Sequence, residues 1–384
     1  MTLKIVADAA IPFAGAYFSS IGDLTLVKGR DISPADVRNA DVLVTRTVTR
    51  VDETLLRDSA VKFVASATSG MDHVDGEYLK SRNVGFAYAP GCNARSVAEY
   101  VLSSLFVLRD QNGFDLTGKR VGIVGCGHVG SMVRKLLQVL DVECLVCDPP
   151  LREQGAAGSF YDLEQILAAD VVTLHVPLTR AGKHATRNLF DGASLARLRD
   201  DVVFINTSRG GVVDEAALRD FLERHPRAAA VVDVWANEPD IDTGLLKKAA
   251  IATPHIAGYS TDGKLKGTRM VYRQVCDYFD LEAEDVTPTL PQGGVDTLNL
   301  SDPLDNIQDA LQMAVLACYD VRSDSISLRR ILDIAAEERG VYFDDLRNHY
   351  PLRREFPAMR VELPAPAGAA GDKLAALGFE VKVR

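Results

Sequence analysis

Short apolar runs rich in β-branched residues alternate with amphipathic stretches along the first three-quarters of the chain. Residues 3–7, 41–45 and 61–67 are too short for helices and read as strands. Residues 34–39 and 53–58 between them read as amphipathic pieces. A long apolar helix is predicted over 95–109. Strands follow at 121–124, 144–147, 171–175, 202–206, 229–234 and 251–253, and helices over 162–169, 192–198 and 214–225 separate them. Runs that are apolar throughout belong to strands covered on both faces, as in parallel sheets. The alternation of strand and helix therefore predicts an open, doubly wound α/β architecture. A helix over 268–279, apolar at 271, 275, 276 and 279, closes this part.

The pattern changes after that helix. Residues 282–294 (EAEDVTPTLPQGG) are acidic and then rich in proline and glycine, which predicts a linker. Beyond it, helices are expected over 306–321, 329–338 and 372–377, and strands at 359–363 and 379–383. They describe a small α+β domain of about ninety residues, a size at which domains are common.

Composition narrows the function classes. A chain of 384 residues that is 47% hydrophobic can bury sizeable cores. Its formal net charge of -10 argues against nucleic acid or an anionic membrane as a partner. No apolar run is long enough to span a bilayer, and the first residues lack the pattern of a secretory signal. Six scattered cysteines suit a reducing, cytoplasmic setting. Cys144 and Cys147 form a C-x-x-C within a predicted strand, where a zinc or redox role competes with simple packing.

The richest stretch is KRVGIVGCGHVG, residues 119–130. A strand runs into Gly125, Gly127 and Gly130 at G-x-G-x-x-G spacing, with His128 and Val129 inside the loop, and a helical pattern begins at once. The first glycine permits the tight turn, the second lets a pyrophosphate approach the backbone, and the third lets helix and strand pack closely. The helix N-terminus offers N–H groups and a partial positive charge. The next predicted strand ends in Asp148, whose carboxylate suits ribose hydroxyls and would repel a 2′-phosphate, so NAD is the expected cofactor.

Three loops after later strands carry residues for oxidation of a hydroxy acid. Ligands of doubly wound sheets sit at the carboxyl ends of the strands. In NTSRGG, Arg209 can clamp a carboxylate through two hydrogen bonds. In DVWANEP, Asp233 can reach the nicotinamide end of the cofactor. In TPHIAGY, His255 with Glu238 makes an acid/base pair for the hydroxyl proton.

GCGHVG with Asp148, then NTSRGGVVDE, DVWANEP and TPHIAGYS, in that order, resembles the D-2-hydroxyacid dehydrogenase superfamily over residues 1 to about 280. The resemblance implies a catalytic set of Arg209, Glu238 and His255. It implies two doubly wound parallel-sheet domains, a Rossmann-type cofactor domain inserted into a flavodoxin-like substrate domain, plus the small C-terminal α+β domain. The boundaries expected are 1–93 and 256–285 for substrate, 94–255 for NAD and 286–384 for dimerisation. It further implies that Val176, Thr207, Ser208, Asp233 and Gly258 contact NAD. Thr47, Thr68 and Tyr259 would contact a small phosphorylated hydroxy-acid substrate, and the assembly would be a homodimer. Arg46 is a candidate for the phosphate or for pairing with a carboxylate. Arg347, Arg353 and Arg354 could reach a partner's active site, with a solvated face as the plainer reading. The same motifs would also serve other members of the superfamily, such as a 3-phosphoglycerate dehydrogenase, or a corepressor using the scaffold to recognise protein.

Overall fold

The computed structural model describes residues 2–291, 296–300 and 306–384. The last three residues of the predicted 282–294 linker lie outside them. The chain forms two compact units, Met1–Asn93 with Ser260–Gln292 and Ala94–Tyr259 with Gly293–Arg384.

The first unit is a five-stranded parallel sheet of β1 (Leu3–Asp8), β2 (Gly22–Val27), β3 (Val42–Thr45), β4 (Phe63–Ser66) and β5 (Gly85–Tyr88), in the order β2-β1-β3-β4-β5. This is the flavodoxin-like order. The edge strands β2 and β5 escape the hydrophobic pattern because they are only partly covered, and their sequences, GDLTLV and GFAY, mix glycine and polar residues into the run. The helix Thr261–Tyr278 returns to this unit and buries Val271, Tyr272, Val275 and Cys276. It starts seven residues before the expected 268. The stretch TDGKLKG looks like a loop, yet Ser260 caps the helix by accepting from the Gly263 N–H at 2.8 Å.

The second unit holds a six-stranded parallel sheet: β6 (Arg120–Val124), β7 (Glu143–Cys147), β8 (Val171–Leu174), β9 (Val203–Asn206), β10 (Ala229–Val232) and β11 (Ile251–Ala252). The order is β11-β10-β9-β8-β6-β7, so the winding reverses at β6. Its register explains how distant stretches meet. Cys147, Val124, Leu174, Asn206, Val232 and Ala252 are successive partners across the sheet. Asp148, Gly125, His175, Thr207, Asp233 and Thr253 therefore leave the sheet together at one carboxyl edge.

Cys144 and Cys147 are three residues apart on β7, so strand alternation sends them to opposite faces. Cys147 packs in the core on one face and Cys144 against the core on the other. Burial pushes both thiols up to about 11. Packing is their role.

The C-terminal residues share a core with the Ala94–Asn112 helix of this unit. Leu311, Val315, Phe356 and Leu374 join Tyr100, Val101 and Leu105 in one cluster. Three short strands, β12 (Thr297–Asn299), β13 (Arg360–Leu363) and β14 (Glu380–Val383), pair in parallel. The helix expected over 329–338 is absent. Two 3₁₀ turns, Arg330–Asp333 and Ala336–Glu338, lie there, flanked by the helices Val321–Arg329 and Arg339–Asn348. Local propensity loses to packing: Ile334 and Ala335 are extended, and Ile331 and Phe343 on either side are fully buried in the core.

Candidate active site

The glycine loop has the geometry its spacing predicts. Gly125 has φ +85°, a conformation that favours glycine. A side chain at Gly130 would run into the Gly125 carbonyl, whereas nothing lies within 4 Å of where one would start at Gly127. That open position adjoins the N-terminus of the His128–Val139 helix, which no side chain caps. Exposed Gly127 and His128, partly buried Val129 and the uncapped amides thus make a cradle that fits a dinucleotide pyrophosphate. Val176 lies against the turn, its Cγ1 2.7 Å from the position of a Gly125 Cβ. Asp148 accepts from the Cys126 N–H at 2.7 Å and the Leu151 N–H at 3.0 Å. It fastens the loop and retains acceptor capacity for a ribose.

After β9, the buried Asn206 accepts from Ser208 Oγ at 2.7 Å and its own amide donates to the Arg209 carbonyl at 3.3 Å. The Arg209 guanidinium donates to the Ser208 carbonyl at 2.7 Å. A side chain at Gly210 would strike the Trp235 backbone, so glycine is what lets the Arg209 loop approach the next loop. Thr207 Oγ1 lies 3.1 Å from His175 Nδ1, and Thr173 Oγ1 lies 2.9 Å from His175 Nε2. Desolvation pushes His175 down to about 3, so it is a neutral spacer holding Thr207. Neither Asn206 nor His175 announces itself in the sequence beyond lying at a strand end.

Glu238 and His255 meet as expected. Nδ1 of His255 is 2.7 Å from Glu238 Oε2 and 3.0 Å from Oε1. Glu238 Oε1 also accepts the Trp235 N–H at 3.0 Å. Burial would raise the Glu238 pKa, but His255, the Trp235 amide and Arg347 together hold it below the usual range. An ionised Glu238 keeps a proton on Nδ1 and turns Nε2 toward any substrate.

Asp233 is buried, with 1% exposure, and organises this pair. It accepts Thr253 Oγ1 at 2.6 Å, the Ile256 N–H at 2.8 Å and the Ala257 N–H at 3.1 Å, while its backbone carbonyl accepts the His255 N–H at 2.7 Å. Tyr100 then donates to Thr253 Oγ1 at 2.7 Å. Burial raises the Asp233 pKa against these donors and the nearby His255. The structure thus adds a positioning duty to the cofactor contact expected of Asp233. Gly258 is half-buried in the same loop, and Tyr259 follows it.

The basic patch foreseen in the last domain is not a solvated face. Arg353 is buried, donates to the carbonyls of Ala257 and Ser96 at 3.0 and 2.6 Å, and lies 3.6 Å from the Tyr319 ring centroid. Arg347 donates to Tyr259 Oη at 3.3 Å. Both reach the His255 loop within their own chain, a tertiary contact that sequence alone cannot reveal.

In the first unit, Thr47 is exposed on the loop after β3. Thr68 donates to the Gly70 carbonyl at 3.0 Å and lies 2.7 Å from Ser66 Oγ. Of the two partners open to Arg46, the carboxylate is present: Nε bonds the fully buried Asp8 at 2.7 Å. Lys264, absent from the sequence expectations, is pushed down to about 8 by burial and by Arg46. Among the described residues, no group of three His, Cys, Asp or Glu is placed to hold a metal ion, and no helix is long and apolar enough to cross a membrane.

Comparison with known proteins accords with this geometry. The family described as D-isomer specific 2-hydroxyacid dehydrogenase, NAD binding domain, matches residues 96–257. A domain of unknown function (DUF3410) matches residues 289–378. The chain is 46% identical over 383 residues to erythronate-4-phosphate dehydrogenase of Chromohalobacter salexigens, covering 99% of both chains. It is 44% identical to the enzyme of that name from Azotobacter vinelandii, over 98% of this chain and all of the relative. Among solved structures, NAD-bound 3-phosphoglycerate dehydrogenase of Entamoeba histolytica aligns with a TM-score of 0.62 and 23% identity, over 73% of this chain and 96% of that one. D-lactate dehydrogenase of Aquifex aeolicus, complexed with NAD and lactic acid, aligns at 0.60 and 22%, over 72% and 96%. At such identities the likeness is one of fold.

Proposed function

The chain belongs to the erythronate-4-phosphate dehydrogenase family, within the D-2-hydroxyacid dehydrogenases, and from that premise we propose its reaction and the part each residue plays. It oxidises 4-phospho-D-erythronate to 2-oxo-3-hydroxy-4-phosphobutanoate, a step toward pyridoxal 5′-phosphate (vitamin B6). The observation that carries this reading is the His255–Glu238 pair, 2.7 Å apart at the same sheet edge as the glycine loop and Arg209.

A bound NAD would supply the acceptor for the hydride on C2 of the substrate. The chain's own residues do the rest. Gly125 to Gly130 and the helix amides hold the pyrophosphate, with Asp148 at the ribose. Val176, Thr207, Ser208 and Gly258 line the cofactor's path, and Asp233 holds the loop beside it. Arg209 takes the substrate carboxylate and polarises the forming keto oxygen. His255 Nε2 takes the C2 hydroxyl proton, and Glu238 stabilises the imidazolium that results. Thr47, Thr68 and Tyr259 serve the substrate's hydroxyls, while Arg46 stays paired with Asp8. Residues 286–384 carry a homodimer contact. The six scattered cysteines are consistent with a cytoplasmic location.

The test is NADH formation, followed by absorbance, with NAD and either 4-phospho-D-erythronate or 3-phospho-D-glycerate in the presence of a keto trap. Turnover of the first supports the reading. Preference for the second moves the substrate but leaves the acid/base assignment. NADH binding without turnover of either refutes the enzyme reading.

A further inference from the structure

The helix Arg339–Asn348, in the segment that follows the dehydrogenase motifs, brings Arg347 against the loop that carries His255. Its guanidinium donates to Tyr259 Oη at 3.3 Å, and its Cζ lies 5.9 Å from the Tyr259 ring centroid. Tyr350, from the same C-terminal segment, meets the Tyr259 ring edge-on, 5.6 Å away at 89°. Tyr350 is anchored by its hydroxyl, which donates to Asp324 at 2.9 Å. The C-terminal segment thus builds a rigid aromatic and cationic wall beside the acid/base pair.

That wall keeps one hydrogen-bond donor without an acceptor. The Arg347 side chain is 16% exposed, and its Nε is buried without a hydrogen-bond partner. Its nearest carboxylate, Asp344, is 3.9 Å away, too long for a hydrogen bond. Glu238 feels its charge but is already engaged by His255 and the Trp235 amide. Tyr259, Glu238 and Asp344 together hold the Arg347 charge despite its desolvation, yet a buried guanidinium N–H left without an acceptor is costly, and a further hydrogen-bonding anion relieves that cost. The planar fork of the guanidinium suits phosphate.

Resting on the reaction proposed above, in which Arg209 takes the carboxylate, the substrate's second anion needs its own cation. We propose that Arg347, presented against Tyr259 by the C-terminal domain, is the specificity residue that binds the substrate phosphate. The fused C-terminal segment then selects phosphorylated hydroxy acids for a catalytic set that the wider superfamily shares.

The decisive quantity is the ratio of kcat/KM for 4-phospho-D-erythronate over D-erythronate, measured for wild type, R347Q and R347K. Loss of a charge-assisted pair predicts that R347Q lowers this ratio about 30-fold, chiefly through KM of the phosphorylated substrate. R347K, with charge but no fork, falls between. Melting temperature and NADH fluorescence identify variants that fold. An unchanged ratio in a folded R347Q overturns the proposal. So does a shift of the pH profile with the ratio intact, since Arg347 would then act through Glu238. If wild type instead oxidises 3-phospho-D-glycerate, the substrate reading fails, and the same ratio taken with D-glycerate still tests Arg347.

Discussion

Replacing Glu238 by Gln isolates the charge that the His255 pair depends on. The amide keeps the shape and one acceptor, so the Trp235 N–H and the ring Nδ1–H each still have oxygen or space nearby. What disappears is the negative charge facing His255 at 2.7 Å. Two unit charges about 4 Å apart at an effective dielectric constant near 20 interact by about 4 kcal/mol. The side chains of His255 and Glu238 are 31% and 20% exposed, so water screens part of this. Halving it leaves about 2 kcal/mol, or roughly 30-fold in rate. The ring carries positive charge only as the proton moves, so the loss belongs in kcat more than in KM. Initial rates of NADH formation across pH measure it directly. E238Q should lose roughly 30-fold in kcat, because the charged ring has lost its partner. Turnover within threefold of wild type at every pH, in a variant that melts normally, would show that the pair is structural.

Other outcomes follow from the same geometry. Gly127→Ala meets open space and should leave the melting temperature unchanged while weakening NADH binding by tenfold or more, read by fluorescence titration. Gly130→Ala drives a methyl into the Gly125 carbonyl and should cost about 1–3 kcal/mol, visible as a lowered melting temperature; equal behaviour of the two variants would contradict the assigned roles. Asp148→Asn keeps one acceptor for the Cys126 and Leu151 amides but removes the charge that would repel a 2′-phosphate, so the NAD over NADP preference in kcat/KM should fall. Glu99, fully buried, is pushed up to about 8 by burial and by Glu355, against the pull of Arg95 and Arg353. A carboxyl whose folded pKa lies above its unfolded value loses stability as pH rises between the two, here from about 4.5 to about 8. E99Q removes that dependence, so its melting temperature relative to wild type should climb from pH 5 to pH 8; a constant difference would show Glu99 ionised in the fold.

Much of this architecture is written locally. The strands of the six-stranded sheet are buried on both faces and therefore read as uninterrupted apolar runs. The glycine spacing reports three separate steric demands, each visible at its own position. What local pattern conveys poorly is what the fold brings from elsewhere. The edge strands β2 and β5 are half-covered, and the Thr261–Tyr278 helix opens on polar and glycine residues that its serine cap overrides. Residues 328–343 have helical composition, but burying both Ile331 and Phe343 requires an extended break between them.

The candidate site divides along the same line. Arg209, Glu238 and His255 are legible because each follows a strand, and one row of the sheet register sets those strand ends level. Asn206, His175 and Asp233 hold these loops by hydrogen bonds that no spacing encodes. Arg347 is the extreme case. It lies ninety-two positions beyond His255, in a basic patch that reads as a solvated face or a reach into a partner's site, and only the shared core around Tyr100, Leu311 and Phe356 brings that segment to the loop. Sequence reading can flag such a charge but cannot place it, because its role is conferred by a domain contact. If Arg347 sets the phosphate preference, substrate choice and C-terminal packing are one property: substitutions at the Arg353 or Asp324 anchors should change the phosphorylated-to-unphosphorylated ratio by displacing the wall that holds Arg347.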